Sequence, residues 1–105
     1  MTTPLTLNTT RSDDGRMALV AKGEIDQSNI EEFSRELASA TTAAAGSGET
    51  LIVDLRAVEY LDSAAINALY ANTEHIKLIA NPLVTRILTV SGISELTTIE
   101  VPPSA

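Results

Sequence analysis

LIVDLRAVEYLDSAAINAL, Leu51 to Leu69, contains the change of rhythm on which the fold turns. Its first five residues, Leu51 to Leu55, are a continuous apolar run interrupted only by Asp54. Such runs suit a strand covered on both faces, typically a central parallel one. A short connection, Arg56-Ala57-Val58-Glu59, leads to Asp62-Ser63, where a helix should begin. Both residue types cap helices, because their side-chain oxygens accept the orphan N–H groups of a first turn. From Ser63 to Thr73 no residue is charged, whereas a helix on a soluble surface normally shows charges to water.

At 100° per residue, Ile66, Leu69, Tyr70 and Thr73 share one side of this helix and should pack on a sheet. Ala64, Asn67, Ala68 and Ala71 take the opposite side, with Ala65 and Asn72 on the flanks. An earlier helix, expected from about Asn29 to Ala44, gives the contrast. Ile30, Phe33, Leu37 and Thr41 form its inward stripe, and Glu31, Glu32, Arg35 and Glu36 face water.

The neutral face has two readings. Alanine is the best helix former, so exposed alanines need no function. Interface centres, however, are depleted of charge, and small residues let a partner approach closely. Ser63 divides the same way. Most serines at such positions are caps and nothing more. A hydroxyl at an exposed helix start also suits phosphorylation, which adds about −1.5 to −2 charges there. The helix N-terminus tolerates that anion; a partner lying across the alanines would not.

Working outward, Leu5 to Thr9 alternates and reads as a short strand, with Asp14-Gly15 setting a tight hairpin turn. Met17 to Ile25 is its partner strand. Asp26, Gln27, Ser28 and Asn29 form a polar junction, one of which should cap the first helix. Gly46 to Thr50 is a loop. On the other side, His75 to Ala80 alternates as a further strand. Asn81 and Pro82 suit the cap and first position of a last helix, with Val84, Ile87 and Leu88 inward and Gly92 ending it. Thr97 to Val101 reads as a final strand, and residues 102–105 as a mobile tail. The expectation is α/β: a mixed four- to five-stranded sheet with flanking helices, opening with a β-hairpin.

The chain has 105 residues, enough for one domain. Aromatics are only 3%, so the core must be aliphatic, with Phe33, Tyr60 and Tyr70 as its rings. There is no cysteine, which excludes disulfides, thiolate catalysis and cysteine-ligated zinc. A net charge of −7 disfavours nucleic acid and anionic lipid surfaces. No apolar run is long enough for a membrane span, and the N-terminus lacks the pattern of a signal peptide. A cytoplasmic domain is expected.

Enzyme chemistry finds no foothold. Gly46 to Glu49 (GSGE) lacks the lysine and spacing of a phosphate-binding loop. His75 is the sole histidine. Asp13-Asp14 belong to a turn and Glu31-Glu32 to a solvated helix face. No cofactor or metal site is expected.

Three stretches resemble the STAS domains, and among them the bacterial anti-sigma factor antagonists: LIVDLRAVEYLDSAAINAL, GEID at Gly23 to Asp26, and NPLVTRILTVSGISEL at Asn81 to Leu96. With the order of elements, the resemblance covers nearly the whole chain, read as one STAS domain over 1–105. It implies a mixed sheet flanked by helices. It also implies a protein-binding module that captures an anti-sigma factor, itself a serine kinase of histidine-kinase-like ATPase fold. Phosphorylation of the serine after the aspartate switches binding off, and a PP2C-type phosphatase resets it. Carried over, Ser63 is the acceptor, Asp62 shapes its loop, and Asp26 lies on the neighbouring loop that the partner touches. Ala64, Asn67 and Ala68 become contact surface. The chain departs from the family in having Ala64-Ala65 where a second hydroxyl residue and a glycine are common. The segment after Tyr70 is also short, so the helix should end at about Asn72 to Glu74. These departures point to an alternative: a STAS scaffold, or the small cytoplasmic subunit of a transport or sensor complex, without a working phospho-switch.

Overall fold

The computed structural model describes residues 4–11 and 15–101. Asp14 of the expected hairpin turn and the tail at 102–105 lie outside the described residues. Gly15 adopts φ +87, the left-handed conformation that tight turns demand of glycine.

The chain runs β1 (Thr6–Arg11), β2 (Met17–Ile25), α1 (Ile30–Gly46), β3 (Leu51–Leu61), α2 (Ser63–Tyr70), β4 (Ile76–Ala80), α3 (Pro82–Ser91) and β5 (Ile99–Glu100). Short 3-10 turns at Thr73–His75 and Ile93–Glu95 precede β4 and follow α3. The strands lie in the order β1-β2-β3-β4-β5, with β1 antiparallel to β2 and the other neighbours parallel. This is the expected α/β sheet, at five strands.

Each parallel crossover steps one strand onward in the same direction. Right-handed connections of that kind deliver α1, α2 and α3 to a single face. Burial agrees. Leu51, Val53 and Leu55 on β3 and Ile76, Leu78 and Ala80 on β4 are buried, while Ile52, Lys77 and Ile79 between them are partly exposed. One core cluster joins those strand residues to Phe33 and Leu37 of α1, Ala65 and Leu69 of α2, and Val84 and Leu88 of α3. The reading of Leu51 to Leu55 as covered on both faces is therefore corrected: β3 is central and parallel, but helices cover one side only.

The strand is also longer than the apolar run suggested, because of two irregularities. Val20 and Lys22 of β2 pair with Asp54 and Ala57, and Gly23 and Glu24 pair with Val58 and Tyr60. Each time β3 carries one residue more than β2, as in a β-bulge. The extra residues break the in–out alternation, which hid Arg56 to Leu61 as strand. They also turn Tyr60 outward, 49% exposed, so it is not a core ring as its aromatic character implied.

Asp54 lies on the open face yet is nearly buried, held bidentately by Arg56 at 2.6 and 3.0 Å. Burial pushes its carboxyl up, but the Arg56 hydrogen bonds and charge outweigh this and hold it below the usual range. Beyond Ala80, β4 no longer accompanies β3. Asn81 takes over: its Nδ2 donates to the Arg56 and Val58 carbonyls at 3.1 and 2.8 Å. Its Oδ1 accepts from Val84 N, capping α3 as expected, and Gly92 closes that helix with φ +88.

Candidate functional site

The candidate residues converge where β2 and β3 end. Asp62 N donates to the Ile25 carbonyl at 3.1 Å, binding the β3–α2 junction to the β2–α1 loop. Asp26 follows directly on that loop. Its Oδ1 accepts from Ser28 Oγ at 2.5 Å and Ser28 N at 2.9 Å. These bonds, the side-chain one first, hold the Asp26 carboxyl below its ordinary value. Asn29 occupies the cap position of α1 but makes no side-chain cap bond. Its amide instead clamps the loop, accepting from Asp26 N at 3.0 Å and donating to the Glu24 carbonyl at 2.9 Å.

At the start of α2 the two capping candidates separate. Asp62, in extended conformation, accepts from Ala64 N at 3.0 Å and Ala65 N at 3.2 Å. Ser63 is the first helical residue, exposed, and its hydroxyl has no hydrogen-bond partner among the described residues. Asp62 therefore does the capping, which leaves the Ser63 hydroxyl free.

The inward direction of α2 is set by Ala65 and Leu69, both fully buried. That rotates the helix from the expectation. Asn67 becomes the outermost residue, flanked by exposed Ser63 and Ala71, while Ala64 and Ala68 are only partly exposed. Ala68, read as outward, packs partly against the core. Thr73 lies beyond the helix, which ends at Tyr70, slightly earlier than expected. Ranking faces by side-chain size missed this, because a close helix–sheet approach selects a small residue such as Ala65 for the innermost position. Ala65 occupies the position where the resemblance has glycine; its methyl lies in the core and adds no bulk to the outer ridge.

Sequence reasoning also missed the fastening of the far end of α2. Tyr70 Oη donates to the Ser91 carbonyl at 2.6 Å, tying α2 to the last turn of α3. A Cβ at Gly92 would lie 3.3 Å from that hydroxyl. No periodicity rule could have signalled a bond across that sequence distance.

Among the described residues, no three His, Cys, Asp or Glu side chains converge as metal ligands. Nor is any helix among them long and apolar enough to cross a membrane. His75 is exposed on the turn before β4.

A family model described as "Mlab, STAS domain" matches residues 8–98. The chain belongs to the STAS domain family. No curated protein sequence matches this STAS domain. Among solved structures it is similar to an anti-sigma factor antagonist from Mycobacterium paratuberculosis. That match has 21% identity and a TM-score of 0.81, and covers 92% of this chain and 86% of the other. It is also similar to the anti-sigma factor antagonist SpoIIAA in its unphosphorylated form, at 13% identity, TM-score 0.69 and coverage of 94% and 90%. A putative antagonist from Thermotoga maritima follows at 14% identity, TM-score 0.66 and coverage of 92% and 86%. At these identities the likeness establishes a shared fold.

Proposed function

We propose that this STAS domain is an anti-sigma factor antagonist: a binding module, not an enzyme, switched off by phosphorylation of Ser63. The observation that carries the reading is the free, exposed Ser63 hydroxyl at the head of the uncharged ridge Ser63–Asn67–Ala71. The antagonist function of its structural neighbours supports it. The partner is an anti-sigma factor acting as a serine kinase of histidine-kinase-like ATPase fold, and a PP2C-type phosphatase reverses the modification in the cytoplasm. Asp26, Asp62, Ser63, Ala64, Asn67 and Ala68 form the contact surface, with Ala68 contributing only its exposed part.

The physical logic is a division of roles. Because Asp62 caps α2, Ser63 carries no structural bond that a phosphate would break. A phosphate of about −1.5 to −2 charges there would leave the fold intact. It would stand beside the Asp26 and Asp62 carboxylates and at the edge of the neutral ridge. A docked partner would then have to desolvate an unpaired dianion, which is costly.

Incubation with ATP and a candidate anti-sigma kinase, followed by mass spectrometry, should yield one phosphate on Ser63. Ser63→Ala should stay bound to that kinase in a pull-down, and Ser63→Asp should release it. Equal capture of the two variants would sink the switch. A second reading, a STAS scaffold or small subunit of a transport or sensor complex, is favoured by one observation: α2 ends early, at Tyr70, and carries Ala64-Ala65 in place of the hydroxyl residue and glycine that the resemblance leads one to expect. It predicts no phosphate on Ser63 and partner capture indifferent to Ser63→Asp.

A further inference from the structure

The two margins of the sheet are built differently. β5 has only two residues, too short to template another strand. β1 has six, TLNTTR, pairs with β2 without a register break, and presents its other edge to solvent. Natural edge strands are usually blunted by charge, proline, a bulge or shortness. From Thr6 to Thr10 β1 has none of these, and every residue of β1 except Leu7 is exposed. Its composition of threonine, leucine and asparagine is neutral, in a chain of net charge −7.

We propose that this edge is a self-association surface on which β1 of a second copy pairs antiparallel, joining two sheets into one ten-stranded sheet. The strand is self-complementary about its centre. A two-fold axis at Asn8, the middle residue of Thr6 to Thr10, sets Asn8 opposite the partner's Asn8, Leu7 opposite the partner's Thr9, and Thr6 opposite the partner's Thr10. At about 3.3 Å per residue the two Arg11 side chains stand about 20 Å apart, beyond the screening length of about 8 Å at physiological salt. Each Arg11 is in any case occupied, lying 3.5 Å from Glu49 and donating to the Gly15 carbonyl. No like charges meet across the seam. The axis stands perpendicular to the sheet, so both helix layers stay on one side. The Ser63 ridge, on the α2 crossover between β3 and β4, stays uncovered.

Edge pairing buries far less than the about 800 Å² per partner of a stable interface. The dimer is therefore weak and concentration-dependent, and the net charges of the two bodies make it tighter as salt rises. Sedimentation equilibrium from about 5 µM to about 1 mM should show a reversible monomer–dimer equilibrium. Asn8→Lys places two lysines directly opposite each other at the two-fold, and Asn8→Glu does the same with carboxylates; like charges so placed repel. Each variant alone should dimerise at least tenfold more weakly, with an unchanged circular dichroism spectrum. Their mixture should recover a heterodimer. A monomeric wild type over the whole range would overturn the proposal. So would dimers that survive in both variants, or variants that fail to pair when mixed.

Discussion

α1 and α2 fill the same architectural role by different means. Both cross between adjacent parallel strands and pack on the same side of the sheet. α1 has 17 residues and buries Phe33, Leu37, Ala40, Thr41 and Ala44, with Glu31, Glu32, Arg35 and Glu36 facing water. α2 has eight residues and fully buries Ala65 and Leu69 alone. It is pinned at its ends, by the Asp62 cap and the Tyr70–Ser91 bond. α1 is held by a face, and α2 by its ends. The outer ridge of α2 is thereby left without a structural duty, as the docking role proposed for it requires. Its outward residues contribute almost nothing to the attachment of the helix.

The comparison breaks most visibly at Leu69. Leu69→Ala should cost about 2–5 kcal/mol, as should Leu37→Ala in α1, both measured by denaturant unfolding. Hydrogen exchange should separate them. Leu69→Ala should expose α2 amides selectively, because Ala65 is then the one fully buried residue left on that helix, whereas Leu37→Ala should leave α1 protected through Phe33 and Ala44. Uniform exchange in both variants would show that α2 is no more weakly held than α1.

A smaller effect tests the pinned end. Asp62→Ala should cost about 1 kcal/mol through two uncapped N–H groups. Ser63→Ala should change stability by less than about 0.5 kcal/mol, as surface changes do. Equal losses would return the capping role to the serine.

The corresponding acid at the entrance to α1 is Asp26, which binds Ser28 rather than the helix. Its folded-state pKa lies below the ordinary carboxylate value. Its contribution is therefore present above that ordinary value and lost as pH falls through the depressed one. Asp26→Asn should be slightly less stable than wild type at neutral pH, and the gap should close in acid. A gap that widened in acid would contradict the bonding.

The smallest expected effect on stability is at Asn67. Asn67→Arg should leave the melting temperature within the range of neutral surface substitutions while abolishing capture of the anti-sigma kinase. Unchanged capture would remove the α2 ridge from the docking surface.

Several elements were legible because their signals are local. Met17 to Ile25 appears as strand with the bounds expected for the partner of a hairpin turning at Asp14-Gly15. Asn81-Pro82 and Gly92 bracket α3 as their backbone preferences require. The position of Ser63 at the head of an uncharged helix was equally readable, since Asp-Ser and the run of small residues are adjacent in the chain. Illegible features depend on partners distant in sequence. β3 continues past Leu55 because β2 tolerates two bulges beside it, and its freed carbonyls find the Asn81 amide. Asn29 forgoes capping because the Glu24 carbonyl and Asp26 N–H stand within reach.

The sequence by itself determined the order of strands and helices, the absence of cysteine chemistry, and the placing of a serine at the start of a neutral helix. Each follows from propensity, composition or spacing within a few residues. Only the tertiary structure decided which way α2 faces, which of Asp62 and Ser63 caps it, and that one face and one edge of the sheet stay open. Those outcomes turn on packing, on how closely a helix approaches the sheet and which strand lies beside which. Interactions of that range are invisible to any window along the chain.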